Sequence, residues 1–188
     1  MKRGKVVILG GNARSGKTTL AMKLAEKGFN RISFDTLNSA LEDGLKMDLG
    51  DNPAEILIGF LKIIIERSLE EAEIYEIDTV IDMYDFTPKY LSKVTNLDNV
   101  EVYFLAYPNC SKEEIAYNVK YYAEPTDWIA QVNKKYFEEC VERFYQRNKL
   151  IKDECEEYEF ELIDTDCGDN RNLILDELFN RIINEKRT

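Results

Sequence analysis

Apolar positions along this chain alternate between two periods, and the alternation predicts the architecture. Lys5-Val6-Val7-Ile8-Leu9-Gly10 is a β-branched run of strand length. Thr19-Leu20-Ala21-Met22-Lys23-Leu24-Ala25 continues with helical spacing and stops at Gly28. Arg31-Ile32-Ser33-Phe34 reads as a second short strand ending at Asp35. The polar stretch from Thr36 to Asn52 holds Leu37, Leu41, Leu45 and Leu49 at helical spacing. Asp51-Asn52-Pro53, a polar cap with proline in the first turn, then opens a long helix. Its Ile56, Leu57, Phe60, Leu61, Ile63, Ile64 and Ile65 predict a largely buried element. A third strand spans Ile77 to Asp82. The fourth, Val100 to Ala106, is almost entirely apolar, as a strand covered on both faces should be. Glu159 to Ile163 is the fifth, and a terminal helix from Asn172 to Ile183 turns Leu175, Leu178, Phe179 and Ile182 inward.

Strands that recur between helical stretches predict a three-layer α/β/α domain with a parallel sheet. No linker or repeat divides the 188 residues, so one domain over 1–188 is expected. The fourth and fifth strands are separated by about fifty residues, too many for a plain crossover. Inside that interval Ser111-Lys112-Glu113-Glu114 has the form of a capping box, Pro125-Thr126-Asp127-Trp128 is a turn, and a long helix runs from Asn133 to Glu157. An insertion there lies at the carboxyl edge of the sheet, where it can cover a ligand. Residues 107–150 are therefore a candidate lid, and residues 36–60 a candidate acceptor-binding region.

One motif assigns chemistry to this frame. Gly11-Asn12-Ala13-Arg14-Ser15-Gly16-Lys17-Thr18 matches G-x-x-x-x-G-K-[ST], with a strand before it and a helix from Thr19 after it. In that context backbone N–H groups point at phosphate oxygens, the lysine reaches the β- and γ-phosphates, and the Thr18 hydroxyl can ligate Mg²⁺. A nucleoside triphosphate is the predicted ligand. Arg14, inside the loop, either contacts phosphate or braces the loop.

Composition removes competing chemistries. The chain has no histidine, which excludes Ser-His-Asp and Cys-His systems and histidine metal sites. A general base must then be a carboxylate, or a Lys, Tyr or Cys. A net charge of −11 argues against nucleic acid or an anionic membrane as the main partner. Cys110, Cys140, Cys155 and Cys167 form no C-x-x-C pair and read as free thiols in a reducing cytosol. The basic start Met1-Lys2-Arg3 precedes too few apolar residues for a signal peptide, and no segment has transmembrane length, so a cytoplasmic protein is expected.

Four further side chains are candidates for the reaction. Asp35, past the second strand, is placed to orient or deprotonate an acceptor hydroxyl, or else to cap the next helix. Asp82 ends the third strand in the Walker B manner and is the candidate Mg²⁺ carboxylate, with Asp85 as its rival. Arg143 and Arg147 project from one face of the long helix and would close over transferring phosphoryl oxygens, unless Arg143 merely pairs with Glu139. Trp128 and the tyrosines 117, 121 and 122 are packing residues or a wall of the lid, and Lys112 and Lys120 are solvated or line an anionic cleft.

Guanine-specific N-K-x-D and D-x-x-G segments are missing, which weighs against a signalling GTPase, and Met83 stands where a remodelling ATPase carries a glutamate. The loop, Asp35, the short length and the late arginine-bearing insertion resemble the nucleoside- and nucleotide-kinase-like, adenylate-kinase-like branch of P-loop proteins, which includes shikimate, gluconate and nucleoside-monophosphate kinases. Phe104-Leu105-Ala106-Tyr107-Pro108-Asn109, Thr126-Asp127-Trp128, Lys152-Asp153-Glu154-Cys155-Glu156-Glu157-Tyr158 and Ile163-Asp164-Thr165 resemble a narrower group of small bacterial predicted P-loop kinases. The resemblance implies five parallel strands in order 2-3-1-4-5 and ATP–Mg²⁺ as donor. Unlike nucleotide kinases, the chain has no arginine in the segment that follows Asp35; Lys46 is the one cation between Thr36 and Asn52. That favours a neutral or hydroxyl-bearing acceptor over a nucleoside monophosphate. The expected activity is transfer of the ATP γ-phosphoryl group to a small hydroxyl- or phosphate-bearing acceptor, with a nucleotide-binding regulator and a nucleotide hydrolase as alternatives.

Overall fold

The computed structural model describes residues 4–50, 52–94, 97, 99–168 and 170–184. Asp51 of the expected helix cap and the basic Met1-Lys2-Arg3 lie outside them. In chain order the main elements are β1 (Val6–Gly11), α1 (Lys17–Ala25), β2 (Asn30–Ser33), α2 (Phe34–Ser39) and α3 (Pro53–Ile74). After them come β3 (Thr79–Asp82), α4 (Pro88–Leu91), β4 (Val100–Ala106), α5 (Lys112–Tyr121), α6 (Lys134–Glu157), β5 (Glu161–Asp164) and α7 (Arg171–Asn184).

The five strands are all parallel, in the order β2-β3-β1-β4-β5. β1 is the central strand, and every residue of it is buried. Because successive side chains alternate across a strand, the sheet feeds two cores. Val6, Ile8, Ile81 and Phe104 join Leu57, Leu61 and Ile65 of α3 and Ile151 of α6 on one face. Val7, Leu9, Val80 and Leu105 join Leu20 and Leu24 of α1 and Leu175, Leu178 and Ile182 of α7 on the other. The insertion between β4 and β5 builds a third cluster in which Ile115, Val119, Cys140 and Phe144 surround Tyr107.

Several sequence expectations change. Serine 33 ends β2 and caps α2, so Asp35 stands in the first turn of a helix rather than at a strand end. The four spaced leucines do not form one helix: α2 stops at Ser39 and a π-helical turn, Ala40–Gly44, follows. α3 begins at Pro53 as expected but is not buried all round. Ala54, Leu57, Leu61, Ile65, Ser68 and Ala72 are its inner stripe, while Ile56 and Ile63 are more than half exposed. A single helix on the sheet buries only one stripe. β3 and β5 start two residues later than expected. Each follows a left-handed residue, Glu76 at φ 58° and Glu159 at φ 59°, that ends the preceding helix before pairing begins. Cys110 and Cys167, expected as free thiols, are joined as a disulfide with Cα atoms 6.1 Å apart. They lie in the loops after β4 and β5, and parallel pairing brings those loops side by side. Cys140 and Cys155 are buried free thiols. No helix among the described residues is long and apolar enough to cross a membrane.

Candidate functional site

The end of β1 runs flush against β4. A Cβ on Gly11 would stand 2.0 Å from the Leu105 carbonyl oxygen, and Gly11 adopts φ +132°. Asn12 N–H donates to that same carbonyl at 3.0 Å, and the chain then leaves the sheet. Left-handed Arg14 (φ 61°) and Gly16 (φ 95°) fold the loop back into α1. The loop is braced from three later elements. Asn12 Nδ2 donates to the Phe144 carbonyl of α6 at 2.7 Å, and Asn12 Oδ1 accepts from Ala13 N–H at 2.8 Å. Tyr107 Oη donates to the Ala13 carbonyl at 2.7 Å, and the Arg171 guanidinium of α7 donates to the Arg14 carbonyl at 3.0 Å. Ser15 Oγ donates to the Asn12 carbonyl at 2.8 Å. Gly16 supplies no side-chain cap, so the first N–H groups of α1 face the loop interior without a side-chain acceptor.

Lys17 is only 7% exposed, and its Nζ donates to the Asn12 carbonyl. Burial is the main reason its pKa falls to about 8; nearby Asp35 opposes the shift, Arg147 adds to it and Asp82 opposes it. Thr18 Oγ1 donates to Asp82 Oδ2 at 3.4 Å, and the Arg31 guanidinium of β2 meets the same oxygen at 2.9 Å. The other carboxylate oxygen, Asp82 Oδ1, is buried and meets no donor among the described residues.

Asp35 crosses from α2 to the loop after β3, where its Oδ1 accepts from Tyr84 N–H at 3.1 Å. The surrounding walls exclude enough water to raise its carboxyl pKa; Lys17 and the Tyr84 N–H pull the other way. Asp85 turns toward α2 and accepts from Asn38 Nδ2, not toward Thr18. Its pKa is also raised, first by burial and then by the Asp35 charge.

The two candidate lid arginines differ. Arg143 lines the cleft, donates to Cys140 Sγ at 3.0 Å and lies over the Tyr136 ring at 5.4 Å. Glu139, its suspected partner, is 4.0 Å from Lys135 instead. Arg147 donates to the Tyr84 carbonyl and covers the Tyr84 ring at 4.1 Å. Lys17 approaches the same ring at 5.9 Å, so Tyr84 links lysine, arginine and Asp35. Arg14 pairs with Asp127 at 3.0 Å, beside half-exposed Trp128. Together with Lys17, Thr18, Asp35 and Tyr84, the residues Arg14, Asp127, Trp128 and Arg143 line a cleft of about 700 Å³, and Arg147 does not line it. The tyrosines 117, 121 and 122 pack on each other, and Arg171 covers Tyr122 at 4.0 Å. Lys112 pairs with Glu142, and Lys120 covers Phe137. Sequence reading passed over Tyr84, Arg31, Asn38 and Glu42. The one signal for Tyr84 was its place two residues past a strand-ending aspartate.

No family model matches the chain, and no curated protein does. Solved structures do. A gluconokinase from Sinorhizobium meliloti 1021 is 16% identical, covers 99% of both chains and superposes with a TM-score of 0.56. A sugar kinase from Janibacter sp. HTCC2649 is 16% identical over 96% of this chain and 95% of its own, with a TM-score of 0.58. Shikimate kinase from Acinetobacter baumannii, solved with shikimate, is 16% identical over 99% of this chain and 97% of its own, with a TM-score of 0.54. The chain has the P-loop kinase fold, with its parallel sheet in order 2-3-1-4-5.

Proposed function

We propose that this P-loop kinase fold carries an ATP-dependent phosphotransferase that moves the γ-phosphoryl group onto a hydroxyl of a small molecule. The observation that carries the reading is one cleft with a buried phosphate-loop lysine on one wall and Asp35 on the other, close enough for each charge to shift the other's pKa. Kinases recur among the structural neighbours, among them a gluconokinase and a shikimate kinase in complex with shikimate.

The loop amides from Ala13 to Thr19 and the Lys17 ammonium hold the β- and γ-phosphates. Asp82 and Thr18 would hold Mg²⁺, whose charge there offsets the charge of the phosphate oxygens. Oxygen donors alone suit such a hard cation, and Asp82 Oδ1 is the orphaned one. Asp35 receives the acceptor's proton as the acceptor oxygen bonds phosphorus and the phosphorus–bridging-oxygen bond breaks. Its desolvated carboxyl, above the usual carboxylate range, is a stronger base than an exposed aspartate. Arg143 closes over the transferring group from the lid, residues 107–150, and Arg147 holds Tyr84 and through it Asp35. The acceptor sits between the loop and residues 36–60.

ADP release is measured over a panel of hydroxyl compounds that includes gluconate and shikimate. Turnover with one acceptor, lost about a hundredfold in Asp35→Asn while the ATP thermal shift persists, is the expected result. ATP binding without turnover of any acceptor returns the nucleotide-binding regulator, and brisk phosphate release without acceptor returns the hydrolase.

A further inference from the structure

Building on the kinase reading, we infer that the acceptor is an amine-bearing alcohol, with a cationic nitrogen beside the hydroxyl that faces Asp35. The acceptor end of the cleft is lined by Asp35, Asn38, Ser39, Glu42, Tyr84 and Asp85. Three of these six are carboxylates and none is a cation. The cations that do line the cleft, Arg14, Lys17 and Arg143, come from the phosphate loop and α6. Arg14 is paired with Asp127, and Lys17 belongs to the phosphates. Arg147 pulls the carboxyl pKa of Asp35 and of Asp85 down but does not line the cleft; its guanidinium donates to the Tyr84 carbonyl and covers the Tyr84 ring.

A second feature asks for the same ligand chemistry. Asn38 is 6% exposed, and its carbonyl oxygen Oδ1 meets no donor among the described residues, while its Nδ2 is used by Asp85. A buried amide oxygen without a donor is costly, and a ligand N–H relieves it. The acceptor end therefore presents three carboxylates and one unfilled carbonyl, all of which accept. An ammonium group has three donors, a positive charge and no acceptor. A carboxylate or phosphate acceptor would meet like charge from these three carboxylates. A neutral polyol would bring no positive charge to those carboxylates as the cleft excludes water. Burial raises the carboxyl pKa of Asp35 and of Asp85, and neighbouring carboxylates add to it, Asp82 for the first and Asp35 and Glu42 for the second, against the pull of Lys17 and Arg147.

The test uses matched skeletons: serinol, glycerol and glycerate, and glucosamine, glucose and gluconate. Each is titrated into the full chain with a nonhydrolysable ATP analogue and Mg²⁺, and turnover is then read with ATP. At least one amine is expected to bind tenfold tighter than its neutral partner, with the acid weaker still. Glu42→Gln, at an exposed position, and Asp85→Asn should each cut that preference at least fivefold. A nucleotide thermal shift equal to the parent's reports an intact fold in both. A neutral or acidic member binding tightest, no amine binding, or a preference untouched by both substitutions overturns the inference. Turnover of an acid would do so while leaving the kinase reading intact. Amines that bind with the expected preference but yield no ADP sink the kinase reading and leave the cleft's charge selectivity standing.

Discussion

The Asp82 carboxylate at the end of β3 is held at 2.9 Å by the Arg31 guanidinium, which reaches it from the edge strand β2. The same oxygen takes the Thr18 hydroxyl, so one acidic group joins the sheet edge, the central strands and the phosphate loop. Asp82 is only 3% exposed and Arg31 is partly open to water. Arg31→Met leaves a buried carboxylate without its cation and should cost about 2–3 kcal/mol, below the full cost of a wholly buried pair. Adding Asp82→Asn should restore much of that loss. Urea unfolding of the three proteins measures it; a single variant as stable as the parent contradicts the coupling.

Lys17 should make stability depend on pH and, on the proposed kinase reading, nucleotide affinity as well. Its folded pKa of about 8 lies below the ordinary 10.5, so between those values the unfolded chain holds more protons and stability rises with pH. Below pH 8 the buried charge costs about 3 kcal/mol in the empty protein. Phosphate favours the charged lysine, so nucleotide binding takes up a proton above pH 8. Affinity should be flat below pH 8 and fall by up to about tenfold per unit above it. Calorimetry in two buffers of different ionisation enthalpy reads the proton directly, and release rather than uptake would count against the assignment.

Glycine is required at position 11 for two separate reasons, the positive φ and the 2.0 Å approach to the Leu105 carbonyl. Gly11→Ala should cost more than about 3 kcal/mol, because backbone rather than a flexible side chain must move. Gly28→Ala meets nothing within 4 Å and carries only the strain of its φ of +99°. A loss of about 1 kcal/mol is expected there. Thermal unfolding should rank the two in that order by a wide margin.

The Cys110–Cys167 bridge closes a loop of 57 residues that contains the whole candidate lid helix pair. Loop-closure entropy gives it a worth of up to about 4 kcal/mol. Replacing both cysteines with serine should lower stability by a comparable amount. Mass spectrometry after alkylation of the denatured, unreduced chain should find two modified thiols, Cys140 and Cys155; four would disprove the bridge.

Local order was legible in the chain wherever a short-range rule acted. β4 matches its apolar run to the residue, the Ser111–Glu114 capping box is present, and Pro53 opens α3. The order of strands followed from resemblance and is what the sheet adopts. Rules of short range also explain the misses. The leucines after Thr36 hold helical spacing, but α2 ends at Ser39 and a π-helical turn follows, a change of backbone hydrogen-bond register that side-chain spacing does not encode. Ile56 and Ile63 looked inward because seven apolar residues crowd one helix; which stripe is covered depends on the sheet beneath it.

By itself the sequence determined the strand, glycine-bearing loop and helix start around Gly11 to Thr18, because consecutive residues carry that whole local pattern. It also removed histidine as a candidate base, which leaves a carboxylate, Lys, Tyr or Cys for that role. Only the tertiary structure decided which carboxylates meet which partners. Asp82 faces Thr18 and Arg31, Asp85 faces Asn38, and Asp35 faces Tyr84 across 49 residues of chain. It decided, too, that Arg143 opens into the cleft while Arg147 is held by Tyr84, and that Cys110 meets Cys167. Such contacts join residues far apart in the chain, and no spacing rule acts over that distance; they exist because parallel strands bring the loops at their carboxyl ends to one edge.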